Sequence, residues 1–151
     1  MDNDSVVWDD SFSVGLKLID DQHKELVLMA EELFKGCKRG AAAADVAFMR
    51  TIRKAVEYAK THFVAEENYM SQANYPELAV HKEEHSKFIN EIINAVREFE
   101  KGNSAPIDMA RFLKKWLLEH TAESDKLCAP YFVKLQNQMD EFSKASDRRQ
   151  A

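Results

Sequence analysis

The apolar positions of this chain recur three and four residues apart in four stretches, which is the spacing of amphipathic helices. Ile19, Leu26, Ala30, Leu33 and Cys37 form the first stripe and predict a helix from about Asp20, a candidate N-cap, to Lys38, with Gly40 just beyond. Phe48, Ile52, Ala55, Ala59, Phe63 and Met70 form the second, on a helix from about Ala42 to Gln72 that stops before the breaker Asn74-Tyr75-Pro76. Leu78, Phe88, Ile92, Val96 and Phe99 belong to a third helix, opening at Pro76 and closing at Lys101-Gly102. Met109, Leu113, Trp116 and Leu117 mark a fourth, from near Pro106 to near His120.

The remainder is connectors and ends. Residues 1–18, with Trp8, Phe12, Val14 and Leu16, read as an extended N-terminal arm packed over the bundle, which occupies about residues 19–126. Residues 127–142 keep some helical periodicity and predict a short C-terminal helix, and 143–151 have almost no apolar content and predict a flexible tail. Short connections between four long amphipathic helices predict one all-α domain, an antiparallel up-down four-helix bundle.

Composition narrows the reading. A chain of 151 residues buries one sizeable core, and four glycines with three prolines supply too little turn chemistry for a β-sandwich or barrel. No apolar run approaches the roughly 18 residues of a membrane span. The net charge of -5 disfavours a phosphate-backbone partner, since the only basic cluster is Arg148-Arg149, so neither nucleic acid nor membrane is expected. The start, Met1-Asp-Asn-Asp-Ser, is acidic where a secretory signal is basic and then apolar, which points to the cytoplasm. Cys37 and Cys128 fit no C-x-x-C pattern and read as reduced, structural thiols. An acidic exterior with no obvious exposed apolar stripe makes a monomer the expectation.

The five histidines change the picture. His23 extends the first stripe, His62 the second, His81 and His85 the third and His120 the fourth, so all five point at the core. One histidine on an apolar stripe is ordinarily a hydrogen-bonded core or boundary residue. Five of five call for a common cause. Residues four apart share a helix face, so His81 and His85 can grip one metal and Glu66 joins His62, whereas Glu67 lies about 140° from His62 and is expected in solvent. His120 and Asp125 are five apart and reach one site only if the helix ends or distorts between them. The plainer role for Asp125 is to cap a following helix.

Burying two carboxylates and five imidazoles without partners is costly, and the stripes favour cations as those partners. Five imidazoles, two bridging carboxylates and one solvent-derived oxo or hydroxo bridge fill all but one position of two octahedral ions. One metal is then saturated and its neighbour keeps an open position. A mixed imidazole and carboxylate set suits iron, whereas closed tetrahedral zinc uses four ligands, often including cysteine.

Trp8, Ser13-Val14-Gly15 and Ile19-Asp-Asp-Gln-His23, then His62-Phe-Val-Ala-Glu66, His81-Lys-Glu-Glu-His85 and Trp116-Leu-Leu-Glu-His120-Thr-Ala-Glu-Ser-Asp125, together resemble the hemerythrin family in its bacterial single-domain form. The resemblance covers roughly residues 8 to 135, and Thr121 departs from the apolar residue, usually Ile, that follows the last histidine. It implies that His81, His85 and His120 hold one iron, that His23 and His62 hold the other, and that Glu66 and Asp125 bridge them. It further implies that dioxygen binds reversibly, end-on, to the two-histidine iron and is held as hydroperoxide, in a pocket lined by Leu117 and its neighbour Trp116. Such a protein stores, delivers or senses oxygen and is not an enzyme, with an oxidase or a signalling protein as its possible partner chain.

Two other readings compete. A di-iron redox enzyme with ferroxidase, peroxidase or nitric-oxide chemistry needs the same site. A zinc hydrolase would use His81-Lys-Glu-Glu-His85 as an H-x-x-E-H motif with Glu84 as general base, which leaves His23, His62 and His120 without a role.

Overall fold

A computed structural model describes residues 5–103 and 105–150, with side chains to residue 149. Its helices are α1 (Lys17–Lys38), α2 (Ala41–Tyr58), α3 (Val64–Gln72), α4 (Leu78–Glu100), α5 (Pro106–Trp116) and α6 (Asp125–Gln150). A first π-helical segment, Ala59–Phe63, fuses α2 to α3, and a second, Leu117–Ser124, fuses α5 to α6. The result is four rods in a four-helix bundle. Among the described residues there is no strand, and no helix is long and apolar enough to cross a membrane.

The first rod starts three residues before the expected N-cap. Asp20 lies inside α1, and its carboxylate accepts bonds from the Ser13 hydroxyl at 2.6 Å and the Val14 amide at 2.8 Å, tying down the arm. That arm is extended apart from a 3-10 turn at Asp10–Phe12, and it buries Val6, Phe12, Val14 and Leu16. Its first four residues and Ala151 lie outside the described residues. Gly40 joins α1 to α2 at a φ of 106°, a left-handed conformation that glycine adopts without strain. At Gly36 the two helices approach so closely that a Cβ would stand 2.4 Å from the Cβ of Ala47. Pro76 falls in the turn before α4, two residues earlier than the helix itself.

The fourth rod departs most from expectation. It does not end near His120, and there is no separate short helix over 127–142 followed by a flexible tail over 143–150. Helix continues from Pro106 through the π segment to Gln150. Ser143 to Gln150 are polar but contain no breaker, and Arg148 and Arg149 complement the negative helix end, so the last turns persist without a core. Along this rod Leu127, Val133, Met139 and Phe142 are exposed.

Two apolar clusters fill the bundle. The larger contains Leu26, Ala30, Leu33, Phe48, Ala55, Tyr58, Phe63, Phe88, Leu113 and Leu117, and the smaller Val14, Leu16, Ile19, Met70, Tyr75, Cys128 and Phe132. On α1, His23 falls between Ile19 of one cluster and Leu26 of the other. Glu66 falls between Phe63 and Met70, and Asp125 between Leu117 and Cys128. A polar layer therefore crosses the bundle, sealed by apolar side chains at both ends.

Candidate metal centre

Seven titratable side chains make up that layer: His23, His62, Glu66, His81, His85, His120 and Asp125, all buried. Helical register accounts for most of the placement, because His81 and His85 are one turn apart on α4 and His62 and Glu66 are four apart across the junction of the first π segment with α3. The second π segment solves the problem posed by His120 and Asp125. In a π turn the backbone bonds from i to i+5, so residues five apart stand one turn apart, and both side chains face inward. Asp125 is the first residue of α6, yet its carboxylate turns to the histidines instead of capping.

Two overlapping groups converge. Glu66, His81, His85 and His120 form one, and His23, His62, Glu66 and Asp125 the other, with one donor atom from each residue within 4.8 Å of the rest. Glu66 Oε2 lies 3.1 Å from His85 Nε2, 3.2 Å from His81 Nε2 and 3.6 Å from His62 Nε2. Asp125 Oδ1 lies 3.0 Å from His120 Nε2 and 3.2 Å from His81 Nε2, and its Oδ2 lies 3.0 Å from His23 Nε2. Each carboxylate thus touches histidines of both groups.

The outer ring nitrogens are held separately. His62 Nδ1 is 2.9 Å from Gln22 Oε1, His85 Nδ1 is 2.8 Å from Glu67 Oε1, and His120 Nδ1 is 2.5 Å from Glu84 Oε2. Since an amide oxygen or carboxylate only accepts, each Nδ1 carries a proton and donates, leaving Nε2 as the nitrogen directed inward. His81 Nδ1 faces the Cys128 thiol at 4.0 Å. Sequence spacing missed Gln22 and Glu84 in this role, and it misplaced Glu67. The helix angle rightly removes Glu67 from the inward group, but α4 lies on that side, so Glu67 is half-buried against His85.

The unsatisfied atoms of the donor set fit a bound cation. Among the described residues, Nε2 of His23, His62 and His120, Oε1 of Glu66 and both Asp125 oxygens are buried without a hydrogen-bond partner. Each of the three nitrogens stands at ion-pair distance from a carboxylate oxygen without making a hydrogen bond to it. Buried polar atoms are seldom left so, and lone pairs aimed at a common point fit a coordinated ion. Imidazole with carboxylate, and no thiolate among the inward atoms, is a donor set for iron and similar metals.

The electrostatics agree. Burial and the neighbouring Asp125 push the Glu66 carboxyl up, but His62, His81 and His85 outweigh them and pull it down to about 2. Burial likewise opposes ionisation of Asp125, and His120, His23 and His81 hold it well below the carboxylate range. Burial lowers His62 to about 4 against the pull of Glu66. Burial also opposes the charged forms of His81 and His120, but the Asp125 carboxylate beside them leads the neighbours that raise them, to about 12 and about 9.

Leu117 is fully buried in the larger apolar cluster, whereas Trp116 stacks its ring on His120 at 4.0 Å, against the three-histidine group, with its Nε1 unpartnered among the described residues. Tyr58 stacks on His62 at 4.6 Å, and Phe63 stacks on His85 at 3.9 Å. Thr121 is buried, and its hydroxyl has no partner among the described residues.

Residues 14–132 match the family described as hemerythrin HHE cation binding domain. The chain is similar to a bacteriohemerythrin of Pseudomonas aeruginosa, with 31% identity over 141 residues that make up 92% of this chain and 87% of that one. It is 32% identical to a myohemerythrin of Sipunculus nudus over 124 residues, 81% of this chain and 89% of the other. A solved structure of wild-type hemerythrin superposes with a TM-score of 0.70 at 26% identity, covering 84% of this chain and 97% of that one.

Proposed function

The chain belongs to the hemerythrin family, and from that premise we propose that it binds dioxygen reversibly at a pair of iron ions, for oxygen storage, delivery or sensing. The observation that carries the reading is the pair of buried donor groups hinged on Glu66, one rich in histidine and one with two histidines and a second carboxylate. His81, His85 and His120 would hold one iron and His23 and His62 the other, with Glu66 and Asp125 shared between them. Held there, the irons would supply reversible two-electron exchange with dioxygen.

The chain's own residues decide what that exchange leads to. Gln22, Glu67 and Glu84 accept the Nδ1 protons and so fix three imidazoles in the orientation that presents Nε2 inward. Neutral imidazoles outnumber carboxylates, unlike the carboxylate-rich di-iron oxidases, which favours binding over oxygen cleavage. Leu117 keeps bulk water from the interior, and Trp116 covers His120. All seven inward residues come from one chain, which supports a monomer as the working unit, and an oxidase or signalling partner would be a separate protein.

Glu84 accepts from His120, and both His81 and His85 turn Nε2 to Glu66, which leaves the H-x-x-E-H reading without a free base. The deciding experiment is the visible spectrum of iron-loaded, anaerobically reduced protein before air, after air and after degassing. A band that forms in air and is lost on degassing is expected. Irreversible oxidation would favour a redox enzyme using Fe(II), peroxide or nitric oxide, and the absence of any iron-dependent band would favour zinc.

A further inference from the structure

Tyr58 ends α2, one turn before His62, and is buried. Its ring lies nearly parallel to the His62 imidazole, at 4.6 Å and 24°, and it packs edgewise on Phe63 at 5.7 Å. Its hydroxyl has no hydrogen-bond partner among the described residues. The stacking on His62 sets the phenol against the two-histidine group, where the charges of Asp125, Glu66 and Glu25 reach its hydroxyl.

A buried phenol ordinarily finds an acceptor, because an unmet O–H loses its bonds to water and gains nothing in return. Phenylalanine would fill the same space, stack equally on His62 and leave no orphan. Packing therefore accounts for the ring and leaves the oxygen unexplained. The carboxylates do not accept from it: Asp125 and Oε2 of Glu66 are turned toward the histidines, and Glu66 Oε1 stands without a hydrogen-bond partner, as the phenol does. What remains is an acceptor that is not part of the chain.

We infer that the Tyr58 hydroxyl is the hydrogen-bond donor which the interior offers to a small ligand taken up beside His62, an assignment that rests on the di-iron reading above. The ligand class is a two- or three-atom molecule with an exposed lone pair, dioxygen or a linear anion, and Tyr58 holds the end that points away from the metal-ligating atoms. Leu117 and Phe63, in the same apolar cluster, bring no donor of their own to that end.

Azide is a suitable probe because the bound anion carries no exchangeable proton of its own. With oxidised, iron-loaded protein, Tyr58→Phe is expected to retain its iron and to bind azide about tenfold more weakly, the loss of one hydrogen bond to a charged acceptor. In the unmodified protein the infrared stretch of bound azide should shift between H2O and D2O, and in Tyr58→Phe that shift should vanish. The metal-free variant should melt at or above the wild type, since removing an unpartnered hydroxyl costs no bond.

Equal azide affinity in the two proteins, or no isotope shift in the unmodified one, overturns the assignment to Tyr58 while leaving the site reading intact. Should Tyr58→Phe fail to hold iron, the isotope shift in the unmodified protein decides by its presence or absence. A chain that takes up no iron pair, or whose iron takes neither azide nor dioxygen, overturns the site reading and this inference with it.

Discussion

The Nδ1 atom of His120 lies 2.5 Å from a carboxylate oxygen of Glu84, a residue 36 positions earlier on a different rod. The bond orients an imidazole whose other nitrogen faces Asp125, and it pulls the Glu84 carboxyl below its ordinary range. Outer partners of this kind typically contribute about 10- to 100-fold to metal affinity. Glu84→Ala should therefore weaken iron retention by roughly tenfold or more with the fold intact. Competition with a calibrated chelator measures it, and unchanged affinity would reduce Glu84 to a surface acid.

Glu66 is the residue common to both donor groups. Glu66→Ala removes the carboxylate common to both groups and leaves His62, His81 and His85 facing a void, so the purified variant should hold fewer than two irons per chain. Metal analysis against protein concentration is sufficient. A full iron pair in this variant would show that Glu66 is not a bridge.

Leu117 has no measurable exposure and lies at the start of the second π segment, one turn before His120. Leu117→Asn places an amide in the apolar wall and should admit water. Oxidation of the oxygenated protein should then accelerate several-fold, read as the decay of its visible band. An unchanged rate would remove Leu117 from the pocket.

The raised imidazoles give a pH signature. With values of about 12 and about 9, His81 and His120 are protonated at neutral pH in the metal-free chain, while His62, at about 4, is already neutral. Metal uptake in weak buffer should release protons from His81 and His120, measurable by titration. Because these pKa values lie above the unfolded value of 6.5, the stability they contribute is complete below 6.5 and is lost as pH rises, through about 9 for His120 and toward about 12 for His81. Melting temperature should fall across that window in the metal-free protein and hold in the loaded one, where metal has replaced the protons.

Gly36 allows α1 and α2 to close on each other at Ala47. Gly36→Ala should force them apart and cost about 1–3 kcal/mol, lowering the melting temperature by several degrees in a domain of this size. Thermal unfolding of the variant tests it, and equal stability would mean that the pair separates freely.

Most of the inward residues were legible because imidazoles replaced apolar side chains at stripe positions, and a stripe already says which way a helix faces. His23 needed only Ile19 and Leu26 on either side of it. What spacing did not carry was contact across rods. Gln22, Glu67 and Glu84 acquire their roles from the rod opposite, and a helical wheel drawn for one segment has no information about its neighbour. The fourth rod misled for a different reason. Thr121 and Ser124 look like an ending, and the five-residue gap from His120 to Asp125 breaks the α period, so a wider helical turn was indistinguishable from a stop.

That wider turn also sets the phase of everything after it. Delete one residue between His120 and Asp125, and the remaining helix rotates by about 100° relative to the bundle. Asp125 would leave the histidines, but so would Cys128 and Phe132 leave the small apolar cluster that they share with Ile19 and Met70. The extra residue is therefore protected twice, once by the chemistry of the polar layer and once by the packing beneath it, and neither can be tuned by insertion or deletion without dismantling the other.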